Sequence, residues 1–253
     1  MFQLNTPVRG SSAQSVAVNV KKLIYIDRAR GGSGNWSPQK DLKSRYGVSA
    51  STQLVINFCS ADMYVDYIWE DLDRSILEIA KFDADFVFGP NFSVYRNYPS
   101  FDSHLNLKRR FVALERLQAA GVRVVPSVVW TEYSQRERVL DWLEANAVSA
   151  ILRNFQTVSS TTETEQWRTM LDDLLHVRER FPSMRLFLAG CSSEARIRTI
   201  VGSVGGPITF VDARAQRLAE YHKDATGRED RSVSVSDLFE RSVRVVTGWS
   251  NGG

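Results

Sequence analysis

Cysteine and histidine are scarce in this sequence, with 2 and 3 copies respectively among 253 residues. Cys59 and Cys191 both sit in apolar runs, where a free buried thiol is expected; one pair makes neither a disulfide framework nor a four-cysteine zinc site. His104, His176 and His222 are far apart, and none stands at ligand spacing from another histidine or a cysteine, so no metal is expected. No run approaches the roughly 18 uncharged apolar residues of a membrane-spanning helix. Met1–Val20 lacks the apolar centre of a secretory signal, so a cytoplasmic protein is expected. The 15 glycines and 7 prolines form no linker, and residues 1–253 are read as a single domain whose first ~20 residues are an N-terminal arm.

Several catalytic signatures are absent too. No Gly-x-Ser-x-Gly elbow follows an apolar run, which argues against a Ser-His-Asp hydrolase. Gly31, Gly32, Ser33 and Gly34 lack the lysine of a P-loop and the spacing of a dinucleotide fingerprint. A phosphate cradle is conceivable there, but ATP and NAD are unsupported, and no cofactor is expected.

What is present describes an ordinary globular chain: 43% hydrophobic and 24% charged residues, with a formal net charge of +3. That charge is compatible with nucleic acid without requiring it. Basic residues cluster at Lys21, Lys22, Arg28 and Arg30, at Lys40, Lys43 and Arg45, and at Lys108, Arg109 and Arg110.

Short β-branched runs recur, each followed by a helical pattern. Strands are predicted at Leu23–Asp27, Gln53–Ser60, Asp85–Phe92, Arg123–Trp130, Ser149–Gln156, Met184–Ser192 and Pro207–Arg214. Helices are predicted at Tyr64–Lys81, Leu105–Ala120, Ser134–Ala145, Glu163–Arg180 and Ser193–Val201. Alternating strands and helices imply an α/β fold with a parallel sheet. Seven strands suit a (β/α)8 TIM-barrel-like architecture, complete or distorted, with an open doubly wound sheet as the alternative. Ser242–Thr247 is either the eighth strand or part of a helix beginning at Ser236.

In parallel α/β folds the chemistry gathers just beyond the C-terminal ends of the strands. That rule selects Asp27 with Arg28 and Arg30, Asn57, Asn91 with Ser93, Tyr95 and Arg96, and Trp130 with Glu132. It also selects Asn154 with Gln156, Ser192 with Glu194, and Asp212 with Arg214. Each has a plainer reading: Asp212 as the cap of a helix, Tyr95 and Trp130 as packing residues. Cys191 lacks an evident basic partner, which leaves carboxylate chemistry with amides and arginines for recognition.

The order of four segments resembles the tRNA-guanine transglycosylases. Arg185–Ser193 (RLFLAGCSS), a helix from Glu194, and Ile208–Arg217 (ITFVDARAQR) are similar to the stretch that leads to that family's nucleophilic aspartate. This places Asp212 on it. Leu23–Gly32 (LIYIDRARGG) resembles the strand that ends in the family's other catalytic aspartate, placing Asp27 there. Phe86–Pro99 (FVFGPNFSVYRNYP) resembles the strand whose terminal aspartate reads guanine. Here Asn91 offers a donor and an acceptor instead, which points to a different base. The family's zinc site is absent.

The resemblance implies a compact, zinc-free TIM-barrel glycosylase or base-exchanging transglycosylase that cleaves an N-glycosidic bond. DNA is favoured over RNA, with a modified base, including one in phage DNA removed in antiviral defence, as the target. It implies Asp212 as nucleophile or oxocarbenium stabiliser and Asp27 as general acid or base. Asn91, Asn154 and Gln156 would read an extruded base while Tyr95 or Trp130 stacks on it. Arg28, Arg30, Lys108, Arg109, Arg110 and Arg214 would hold phosphates. Two other readings fit the residues: a phosphate-binding barrel enzyme acting on a small sugar or nucleotide, and a non-catalytic nucleic-acid-binding module.

Overall fold

The computed structural model describes residues 1–4, 13–27, 33–94, 100–155, 164–191, 193–211, 214–223 and 227–250. Its first half runs β1 (Phe2–Leu4), β2 (Ser15–Asn19), β3 (Ile24–Asp27), β4 (Ser33–Trp36), α1 (Leu42–Tyr46), β5 (Gln53–Asn57), α2 (Asp62–Glu70), α3 (Leu72–Ala80) and β6 (Phe86–Phe88). The second half runs α4 (Ser100–Ala119), β7 (Val124–Val125), α5 (Tyr133–Ala145), β8 (Ala150–Asn154), α6 (Glu165–Arg180), β9 (Arg185–Ala189), α7 (Glu194–Val204), β10 (Ile208–Val211), α8 (Arg214–Glu220) and α9 (Val235–Ser250).

The protein is a mixed α/β domain built on parallel sheets. One sheet has the order β1-β2-β5-β6-β7 and another β10-β9-β8. Every pairing within these two sheets is parallel. At one flank the sheets meet through a parallel bridge between Ser127 and Leu152. There Val128 N donates to Leu152 O (2.9 Å) and Leu152 N to Pro126 O (2.8 Å). At the other flank the Met1 nitrogen donates to Phe210 O at 3.0 Å.

Strands buried on both faces explain the near-continuous apolar runs. One face packs under the helices in two clusters, the first including Val16, Val18, Leu54 and Ile56, the second Ile151, Leu186 and Leu188. The other face gathers Ala17, Val55, Phe88, Leu152, Phe187 and Val211 from both sheets. Phe88 and Phe187, on β6 and β9, lie with ring centroids 5.1 Å apart. Helices α1, α3, α6 and α7 start where a side chain satisfies a first-turn amide. Thr164 accepts from Trp167 N at the start of α6, and Ser193 from Arg196 N at the start of α7. Asp71 divides the predicted Tyr64–Lys81 helix into α2 and α3, accepting from Arg74 N.

Two expectations are corrected and one open alternative is decided. The N-terminal residues are not an arm: Phe2–Leu4 and Ser15–Asn19 are paired strands of the five-stranded sheet, and Leu4, Val16, Ala17 and Val18 are fully buried. Leu23–Asp27 is not a strand of a parallel sheet; it pairs antiparallel with β4. Its side chains alternate, with Ile24 buried and Tyr25 exposed, as in a ribbon that rests on the protein by one face. Ser242–Thr247 is helical, because Leu238, Phe239, Val243 and Val246 recur at helical spacing and bury one stripe of α9.

The β3–β4 ribbon is fastened to α2 by Tyr67, whose hydroxyl donates to Gly34 O at 2.7 Å. A Cβ on Gly34 would lie 2.4 Å from Tyr67 Cε2. Gly34→Ala is therefore expected to displace Tyr67 and cost about 1–3 kcal/mol by overpacking, read as a lower urea midpoint at unchanged slope.

Glu78 accepts from both Lys40 and Lys81 at 2.7 Å. These hydrogen bonds, Lys40's first, hold its carboxyl down at about 2. A lowered folded-state value stabilises the protein fully above the unfolded value of about 4.3, and the benefit fades as pH falls toward the folded one. The urea midpoint of Glu78→Gln is expected to lie below wild type at neutral pH and to converge with it as pH drops from about 4.5 to 2. Among the described residues no helix is long and apolar enough to cross a membrane.

Candidate functional site

Three parallel strands end in asparagine: β2 in Asn19, β5 in Asn57 and β8 in Asn154. Asn91 and Ser127 stand just beyond β6 and β7, so five amide or hydroxyl side chains mark the C-terminal ends of the sheet. Two of the amides are spent on structure. Asn19 Nδ2 donates to Cys59 O at 2.8 Å, while its Oδ1 accepts from Lys21 N at 3.0 Å. Asn57 Nδ2 donates to Gln3 Oε1 at 2.8 Å, and its Oδ1 accepts from Cys59 N at 2.9 Å. Together they fix the turn that leaves β5.

Asn91 differs. It is half-buried, its Oδ1 accepts from Ser127 Oγ at 3.3 Å, and its Nδ2 has no hydrogen-bond partner among the described residues. The segment that carries it is pinned from three sides. Arg110 donates through Nε and Nη2 to Phe92 O and through Nη1 to Ser127 O. Asn106 Nδ2 donates to Ser93 O at 2.7 Å, and Ser93 Oγ to Asp62 Oδ1 at 2.5 Å. Asn91 thus presents a free amide donor on a rigid support, which is what selective hydrogen bonding to a ligand requires. Asn154 is half-buried at the end of β8, beside Ala189 of β9.

The structure redistributes the other expected site residues. Asp27 ends β3 in the antiparallel ribbon, so the placement on a parallel strand end that paired it with Asp212 is lost. Asp212 directly follows β10, but it lies outside the described residues, as do Tyr95, Arg96, Gln156, Ser192, Arg28 and Arg30.

Trp130 is no stacking platform. It is buried, its Nε1 donates to Asp173 Oδ2 at 2.7 Å, and the Arg153 guanidinium covers its ring at 3.8 Å from the centroid. Arg110 is no phosphate contact either, since it is 3% exposed and its donors are turned to backbone carbonyls. Burial pushes its guanidinium down to about 9. Arg109 lies half-buried over Trp69 and Phe92, 5.4 and 5.9 Å from their centroids, with Asp66 4.0 Å away. Lys108 is exposed on α4, and Arg214 opens α8 half-buried.

The glycine-rich stretch offers no open cradle at its described end. Ser33 and Gly34 belong to β4, and Gly34 abuts Tyr67. Both cysteines are buried, and burial pushes their thiols up to about 12, which removes them as nucleophiles. Glu132 and Glu194 are exposed at the starts of α5 and α7.

Asn19 and Ser127 were missed in the sequence. The signal for Asn19 was present: Ser15–Asn19 (SVAVN) has the same apolar-run-then-asparagine form as Gln53–Asn57 (QLVIN).

The model of the DUF4417 domain of unknown function matches residues 37–177. This span runs from just after β4 into α6 and includes Asn57, Asn91, Arg110, Ser127 and Asn154. No curated protein matches the chain.

Proposed function

The chain belongs to the DUF4417 family, and on that footing we propose an enzyme that cleaves an N-glycosidic bond in a nucleic acid, removing or exchanging a modified base, with DNA the favoured substrate. The observation that carries this reading is Asn91, whose free amide donor and Ser127-bonded carbonyl stand on a pinned segment at the strand C-termini. A nucleobase edge presents the same mixture of donors and acceptors, and an extruded base needs such a partner.

The eight parallel strands are read as one (β/α)8-type barrel, in the cyclic order β1-β2-β5-β6-β7-β8-β9-β10. Two features support closure: the hydrogen bonds at both flanks, and the apolar cluster shared by the two sheets. In such a barrel the residue after β10 belongs to the C-terminal mouth, as Asn91 does. Asp212 is accordingly assigned the carboxylate that stabilises the oxocarbenium ion as the base departs, directly or by forming a glycosyl intermediate. Asn91 and Asn154 hold the base. Asp27 drops out of the pair.

Of the two other readings, the phosphate-binding enzyme finds no open backbone cradle at Gly34, which abuts Tyr67; Gly31 and Gly32 lie outside the described residues. Incubation with duplexes of modified and unmodified bases, and with RNA, followed by mass spectrometry for free base, tests the proposal. Release of a base, leaving an abasic strand that breaks on alkaline heating, is the expected result. Intact strands across the panel, from folded protein, would sink it.

A further inference from the structure

A second site lies at the opposite end of the strands. A cavity of about 970 Å³ opens there, walled by the first residues of β2, β5, β9 and β10 and by the last turns of α9. Its lining includes the guanidinium-bearing Arg185, which opens β9, and Arg244 of α9. Among the described residues neither guanidinium forms a hydrogen bond or ion pair, and no aspartate or glutamate lines the cavity. Neutral donors stand nearby in Gln53 and Thr209, and Phe187 and Val243 add apolar wall.

Two uncompensated cations on separate elements facing one cavity repel each other until an anion comes between them. Guanidinium forks match phosphate and carboxylate oxygens in pairs. The volume suits a small molecule, and the apolar wall favours one that is more than a bare ion. The N-terminal face of a barrel ordinarily serves stability alone, which makes an open, basic cavity there notable.

We infer that this cavity binds a small molecule carrying a phosphate or carboxylate group on an apolar ring. Arg185 and Arg244 take the anionic group while Phe187 and Val243 take the ring. The site stands independently of the base-cleaving reading, since it lies at the other end of the strands and shares none of its residues.

Phenyl phosphate is the probe, titrated into the full chain by calorimetry, with inorganic phosphate and benzyl alcohol as the charge-only and ring-only comparisons. Saturable one-to-one binding is expected, weaker for each comparison compound. The Arg185→Gln, Arg244→Gln double variant should bind at least about tenfold more weakly, through loss of charge-assisted hydrogen bonds. Both residues are exposed, so the variant should fold. Gly248→Phe provides a second test that leaves the charges in place. Gly248 lines the cavity, and a Cβ there meets nothing within 4 Å. The larger side chain should block the probe while the unfolding midpoint holds. Absence of saturable phenyl phosphate binding by folded wild type overturns the inference, and so does wild-type affinity in the Gly248→Phe protein.

Discussion

Asp212→Asn is expected to slow base release by about 10²- to 10⁴-fold, equivalent to roughly 3–5 kcal/mol of transition-state stabilisation, while leaving nucleic-acid binding intact. Departure of a base leaves positive charge on the sugar, and an amide of the same shape has no negative charge to meet it. Residue 212 follows β10 in the chain, and Val211 of β10 belongs to the apolar cluster that also holds Ala17, Val55 and Phe88. Single-turnover release of the base, measured beside binding of the same duplex, separates the two effects. Asn91→Asp gives the complementary result: it exchanges a free donor for an acceptor and should change which base is released more than how fast. Unchanged release by the Asp212→Asn protein would leave the aspartate as the cap of α8 and move the chemistry elsewhere.

Asp173→Asn is expected to destabilise the fold by about 3–5 kcal/mol, on the order of 10 °C in Tm for a chain of this size. Asp173 accepts from Trp130 Nε1 at 2.7 Å, from Arg153 Nη2 at 3.1 Å and from Arg136 Nη1 at 3.2 Å. Arg136 keeps a second carboxylate, Glu137 at 3.0 Å, when Asp173 is neutralised. Arg153 is buried: its side chain is 4% exposed, and burial already pushes its guanidinium down to about 10. Removing the charge opposite it strands a cation inside the protein. The paired replacement Arg153→Met with Asp173→Leu should recover much of the loss, because removing a whole buried ion pair is far milder than removing half of one. Urea unfolding of the three proteins checks both statements. An Asp173→Asn protein within about 1 kcal/mol of wild type would mean that water reaches Arg153.

Trp130 and Arg110 show why the candidate site was only half legible. Both stand at strand ends or in basic clusters, the positions where ligand-binding residues gather, and both are turned inward. A tryptophan and an arginine are each amphipathic, so sequence position leaves open whether the polar end meets a ligand or the protein's own carboxylate or carbonyls. Asp173 and Phe92 O, which decided the matter, lie 43 and 18 residues away. Asn57, Asn91 and Asn154 were legible as strand-end amides because an amide closing a buried apolar strand has no solvent-facing explanation, yet whether such an amide is spent on structure, as Asn57 is, was not.

By itself the sequence determined the alternation of strand and helix from Gln53 onward, because two-faced burial writes continuous apolar runs and one-faced burial writes a helical stripe. It also left carboxylates, amides and arginines as the candidate side chains for chemistry. Tertiary structure alone decided the rest. Phe2–Leu4 is too short to show a period, and its place as a strand comes from pairing with β2 and packing of Phe2 on Phe239, residues far off in the chain. Leu23–Asp27 reads as a strand in either setting, and only its partner, β4 rather than another parallel strand, removed Asp27 from the ends of the parallel strands. Local pattern records how much of a segment is buried; which segment buries it is settled by contacts that no local pattern contains.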